Sequence, residues 1–178
     1  MVFAHDTEQS LGAAVELANS ALEPDTLTTV ADLASFFDSW RYTGRHTGDV
    51  AELEAVRELR PRLRSILTAG RDEAVEIVNG WLAEARALPR LVRHEPLDWH
   101  IHAVDDDSPL PTRIIVETAM AMIDVIRTDE MSRLGLCADD ACEGIVLDLS
   151  RNRSKRYCSV ACGNRNAVAA YRARRAAG

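Results

Sequence analysis

Lysine is almost missing from this chain: of its 21 basic residues only Lys155 is not an arginine. Together with abundant alanine and valine, that bias reads as high-GC bacterial coding rather than as mechanism. Aromatic residues make up only 5%, so each tryptophan or phenylalanine is a landmark. No apolar run reaches the roughly 20 residues that span a bilayer, which excludes a helical membrane-spanning protein, and no membrane partner is expected. The first residues, Met1-Val2-Phe3-Ala4-His5-Asp6, have neither the basic start nor the apolar core of a secretory signal. A cytoplasmic location, where thiols stay reduced, is therefore expected. No G-x-S-x-G, phosphate-loop or dinucleotide fingerprint occurs, and no enzyme activity is expected. Cysteine is absent before position 137, and acidic residues are absent after position 148.

What is present is concentrated at the C-terminal end. Cys137, Cys142, Cys158 and Cys162 follow the spacing C-x4-C-x15-C-x3-C, two close pairs about one hairpin apart. Four thiolates so paired can close a tetrahedral shell around Zn²⁺ and leave no position for substrate, which makes the ion structural. Two disulfides, or four unconnected buried cysteines, are the competing readings, and reduced thiols argue against the former. The segment has too few large apolar residues to fold alone, so metal binding would supply its folding free energy. Cys137 and Cys142 fit a knuckle, and Ile145–Leu149 reads as a strand. A turn over Ser150–Ser154 follows, with Asn152 suited to a left-handed conformation. Lys155-Arg156-Tyr157 then reads as the return strand. Ser159 can cap a helix whose first turn carries Cys162. Knuckle, hairpin and helix in this order make a treble-clef-like finger.

Charge is divided as unevenly as cysteine. From Leu149 to Gly178 there are eight cations and no Asp or Glu; from Met131 onward the balance is +5, whereas the preceding residues carry −12, giving −7 overall. A basic end on an acidic carrier points to nucleic acid. Arg151, Arg153, Lys155 and Arg156 ring the expected hairpin turn. Arg165, Arg172 and Arg175 fall near one face of the following helix, and guanidinium groups grip phosphate or guanine in a bidentate manner. Asn164 either pairs with adenine or caps a local loop. A thiolate-held zinc is itself anionic, so part of this positive charge can serve to neutralise it.

The preceding residues read as helices. Thr7–Leu22 has Asp6 and Gln9 at capping-box spacing and is ended by Pro24. A second helix begins after Thr29, with Asp32 three residues on, and buries Leu33, Phe36, Phe37 and Trp40. Asp49 and Glu52 open a third, in which Pro61 predicts a kink or two shorter helices. A fourth follows Gly70, carries Ile77, Val78, Trp81 and Leu82, and closes at Pro89. Leu91–His94 and Trp99–Ala103 read as two strands joined by residues 95–98. Pro111 and Thr112 start a last long helix. The fold class is mainly α with a small β-hairpin: a helical domain over 1–132, with the hairpin near 91–103, and a zinc finger with a basic C-terminal helix over 133–178.

Residues 137–165 resemble a CGNR zinc finger. Cys162-Gly163-Asn164-Arg165 is the motif itself, and Ser150-Arg151-Asn152 and Arg156-Tyr157-Cys158-Ser159 fit its pattern. The N-terminal part resembles the domain that accompanies this finger in stress-induced transcription regulators. That likeness is carried by AVELANS at 14–20, DTL at 25–27, VADLASFF at 30–37 and VRELRPRLRSIL at 56–67. The resemblance implies a bacterial regulator with a DNA-binding C-terminus and an N-terminal domain that senses a signal or assembles.

Other sites weigh less. His94, His100 and His102 could converge on a metal, but two exposed imidazoles on a hairpin explain the pattern more simply. Asp105–Asp107 reads as a solvated loop. Phe36, Phe37, Trp40 and Trp81 are core by default, and alternatively line a small apolar pocket for an effector. Three functions stay open: a DNA-binding regulator, acting as a homodimer on a two-fold site; a zinc-stabilised protein-interaction module; and a small-molecule binder or enzyme built on the helical domain.

Overall fold

In the computed structural model, which describes residues 2–94 and 97–176, helix α1 runs His5–Asn19 and α2 Val30–Ser39. α2 carries the expected capping box: Thr29 Oγ1 accepts from Asp32 N, and the Asp32 carboxylate accepts from Thr29 N at 2.8 Å. α1 does not use Asp6 and Gln9 in this way. Its N-cap is Ala4, with no side-chain cap, and Glu8 turns back to accept from the Val2 and Phe3 amides. α1 also stops short of Leu22. Ser20 Oγ donates to Leu17 O at 2.7 Å, and the Ser20 carbonyl takes the Thr26 amide.

Pro61 divides the third expected helix into α3, Val50–Arg57, and α4, Leu59–Thr68. Proline offers no amide to the Arg57 carbonyl. With the break at Glu58, it falls in the first turn of α4, where amides have no helical acceptor anyway. α5 spans Arg71–Glu84. Strands β1, Arg90–His94, and β2, Leu97–His102, pair antiparallel with Leu91 opposite Ile101 and Val92 opposite His100. The expected connection lies partly outside the described residues, and Leu97 and Asp98 already belong to β2. α6, Leu110–Arg127, has Pro111 in its first turn.

α6 is the axis of the core. Leu110, Ile114, Ala119 and Met122 are fully buried on it, and α1 (Leu11, Ala14, Leu17), α4 (Leu63, Ile66) and α5 (Ala74, Val78) pack around them. The Trp40 ring reaches α1 at Gly12, where a Cβ would come within 2.4 Å of the indole. Only glycine lets the ring approach so closely.

The chain then makes a 3-10 turn at Met131–Arg133, strands β3, Leu134–Leu136, and β4, Ile145–Leu147, and helix α7, Val160–Ala176. β4 pairs with β3, Gly135 opposite Val146, so the hairpin flanks the knuckle rather than following it. The expected return strand at Lys155–Tyr157 does not form. Lys155 N donates instead to Asp148 Oδ2 at 2.8 Å, and Ala138 N to Arg156 O. Ile145 and Leu147 belong to the helical core. Asn19 on α1 clamps this strand: its Nδ2 donates to Ile145 O at 2.8 Å and its Oδ1 accepts from Ile145 N at 2.7 Å. No described helix is long and apolar enough to cross a membrane.

Candidate metal centre

The four cysteines meet at one point. Their Sγ atoms all lie within 4.8 Å of one another, with Cys142 to Cys158 at 3.5 Å and Cys158 to Cys162 at 3.8 Å. Ligands of a tetrahedral zinc at Zn–S distances near 2.3 Å stand about 3.8 Å apart, whereas disulfide sulfurs stand about 2.05 Å apart. The cysteines are free thiols with the spacing a structural zinc requires. Burial, and then the neighbouring thiols, push Cys158 up to about 12. Four thiolates therefore need a cation among them. Cys137, Cys142, Cys158 and Cys162 would hold the zinc, which when bound supplies cohesion and no open position for chemistry.

Local structure presents each sulfur. In the knuckle, Asp139 Oδ1 accepts from Ala141 N at 3.1 Å and Asp139 O from Cys142 N at 2.8 Å, folding Cys142 back towards Cys137. Gly144 N donates to Cys142 Sγ at 3.3 Å. A Cβ on Gly144 would stand 2.6 Å from Cys158 Sγ, so this position has no room for another residue. Ser159 Oγ accepts from Cys162 N at 3.2 Å, the expected cap of α7, and the Ser159 side chain holds Cys162 below the usual thiol range. Asp148 shapes the loop to the second pair by accepting from both Ser150 N and Lys155 N. The left-handed residue there is Arg153, at φ 49°, and not Asn152.

The basic residues divide into two groups. Arg153, though exposed, is paired, with Nη2 2.7 Å from Glu130 Oε2 and Nη1 donating to Ser132 Oγ. Arg165 Nε donates to Asp139 at 2.6 Å and its Nη2 to Cys162 Sγ at 3.4 Å; the hydrogen bond from Arg165 holds the Asp139 carboxyl below its usual range. Arg151, Lys155, Arg156, Arg172 and Arg175 are exposed, as are Asn164 and Arg174. α7 buries only Cys162, so its remaining length presents itself to solvent. Sequence reasoning missed Asp139, Glu130 and Asp148. An Asp two residues after the first cysteine is a turn signal that could have singled out Asp139.

The four aromatics, alternatively a pocket lining, do not meet at one of the described cavities. Trp81 lines a cavity with Arg62, Glu84 and Pro111, and Arg62 stacks over its ring at 5.2 Å. Phe37 stacks on His46, and Phe36 on Tyr42. Trp40 instead borders a cavity with His100, His102 and Glu117. There burial pushes the Glu117 carboxyl up to about 7, against the pull of Arg113. His100 is buried and His102 largely so, not exposed as their place on a hairpin suggested. The side chain of His94 lies outside the described residues.

A cysteine-held knuckle and helix clamped onto a helical domain define a zinc-finger protein of two parts. A family model described as "CGNR zinc finger" matches residues 133–175. One described as "ABATE: Putative stress-induced transcription regulator" matches residues 11–129, most of the chain. The chain belongs to the ABATE family and carries a CGNR zinc finger at its C-terminal end. No curated protein matches it closely enough to serve as a relative.

Proposed function

We propose that this protein is a transcription regulator that binds double-stranded DNA through its finger. The N-terminal domain senses a signal or pairs with a second copy, and the protein acts by binding rather than catalysis in a compartment that keeps its thiols reduced. The observation that carries this reading is the exposed set Arg151, Lys155 and Arg156 in the loop beside the metal site and Arg172, Arg174 and Arg175 near the end of α7, with no carboxylate side chain after Asp148. Exposed arginine is suited to phosphate and guanine. Arg153 and Arg165 are each paired with a carboxylate of their own chain but stay about half exposed, so DNA would compete with those carboxylates for them. One finger offers little area, so specific recognition calls for two copies on a two-fold site.

The test is a titration of zinc-loaded protein with duplex DNA over a range of salt. Each neutralised phosphate contributes about −0.9 to the log–log slope. Replacing Arg172 and Arg175 with alanine should make the slope shallower by about two while zinc content stays at the wild-type level. Affinity that does not change with salt overturns the reading, and favours a protein-interaction module.

A further inference from the structure

The ring nitrogens of His100 and His102 meet in the cavity beneath the β1–β2 hairpin. Positions 100 and 102 share the inner face of β2, and their Nε2 atoms stand 3.0 Å apart. His102 Nδ1 lies 3.1 Å from Asp106 Oδ1. The space they border is small, about 60 Å³, and is shared by Asp6, Gln9, Tyr42 and Glu117. These groups arrive from α1, the segment after α2, and α6.

From this arrangement we infer that the N-terminal domain binds a divalent first-row transition ion between His100 and His102, with the remaining positions filled by the Glu117 carboxylate and water. Two nitrogens bound to one ion at about 2.1 Å stand roughly 3.0–3.4 Å apart, the separation already present. Asp106 supplies the orienting carboxylate such sites use: by accepting the Nδ1 proton of His102 it leaves Nε2 as the lone-pair donor. His100 would bind through its own Nε2. Imidazole nitrogen with carboxylate suits zinc, nickel, cobalt or copper, not magnesium or calcium.

Charge permits the ion. Asp6 and Glu117 line the site with Asp106 beside His102, three carboxylates against two cations, Arg41 in the lining and Arg113 close to Glu117. The Arg113 guanidinium is occupied by the carbonyls of Thr43, Arg45 and Ser108. Three ligand atoms have not closed together here as the four sulfurs have, so this site is the weaker and more exchangeable of the two. It is also placed to act on the finger. Asp6, Gln9 and Ala13 of α1 line it, and Asn19 at the end of the same helix clamps β4. The inference stands independently of whether the finger binds DNA.

The experiment titrates the zinc-loaded full chain with Co²⁺ and follows its visible absorption, with X-ray absorption of the cobalt-loaded wild type. The expected result is one further equivalent of cobalt without a thiolate charge-transfer band, and imidazole scattering in its coordination shell. His102→Ala and His100→Gln should lose that equivalent, and Asp106→Asn should weaken it by about tenfold or more, all with zinc retained. No further equivalent overturns the inference, as does retention of the equivalent in both histidine variants. The wild-type X-ray measurement decides the matter should either variant fold poorly, since a shell of oxygen alone also overturns it.

Discussion

Around α6 the chain buries leucine, isoleucine and valine drawn from several helices; around the cysteines it buries Cys137, Cys162 and Val146, with Cys142, Cys158 and Tyr157 half covered. Apolar burial returns about 25 cal/mol per Å², which sustains the first region and cannot sustain the second. The finger substitutes metal–sulfur bonding for a core. It also borrows from its neighbour, because Ile145 and Leu147 sit in the helical core while Val146, on the opposite face of β4, packs among the sulfurs. One three-residue strand thus belongs to both regions by the alternation of its side chains.

The largest effect should come from removing the metal. Structural zinc in small fingers supplies on the order of 10–16 kcal/mol of apparent binding free energy. Chelation, or Cys158→Ser, should abolish the order of α7 and the 148–158 loop while α1–α6 persist. Far-UV circular dichroism should fall by about the share of a 17-residue helix, and amide-exchange protection in α6 should survive. A native α7 in metal-free protein would show that the two regions do not differ in the way described.

The reciprocal experiment strikes the helical core. Leu63 is fully buried, so Leu63→Ala should destabilise by about 3 kcal/mol through lost transfer energy and a residual cavity. Zinc stoichiometry at room temperature should be unchanged. A variant that loses metal in step with helix would mean one cooperative unit rather than two supports.

A smaller effect belongs to a partly buried ion pair of the helical region. Arg60 is buried, and its Nη1 and Nη2 donate to Asp25 at 2.8 and 2.9 Å. The Arg60 hydrogen bonds hold the Asp25 carboxyl below its ordinary range, although partial burial opposes them. A depressed folded value means that the carboxylate's stabilisation is present above the unfolded value, near 3.9, and is lost as pH falls through the folded one. Asp25→Asn should therefore lower stability by about 2 kcal/mol at pH 7. The deficit should shrink below about pH 4 as the wild-type carboxyl protonates. Denaturant unfolding at several pH values measures it, and a deficit constant with pH would assign the effect to shape rather than charge.

Local signals in the sequence were readable where the responsible atoms lie within a turn of one another. The Thr29–Asp32 box, the break at Pro61, the Ser159 cap and the close spacing within each cysteine pair are all of this kind. The misreadings involve partners far apart in the chain. β3 is three residues with a central glycine, and nothing local marks it; it exists because β4 lies beside it. Nothing local shows that Arg153 and Arg165 pair with Glu130 and Asp139, more than twenty residues earlier. His100 and His102 look exposed on a hairpin whose inner face is in fact covered by α1 and α6.

The finest test of the comparison lies at the seam. Asn19→Ala removes both hydrogen bonds to the Ile145 backbone and leaves a shielded amide and carbonyl without their partner, at about 1.5 kcal/mol. Its value is in combination with Cys158→Ser. If the sulfur knot is what holds β4 in register against α1, the Asn19 deficit should be present in zinc-loaded protein and vanish in the cysteine variant. The double-mutant interaction energy would then approach the whole single-mutant effect. If β4 docks by virtue of Ile145 and Leu147 alone, the Asn19 deficit should persist unchanged without metal, and the two effects should add. Additivity would move β4 into the helical region outright and confine the metal-dependent part of the protein to the knuckle, the 148–158 loop and α7.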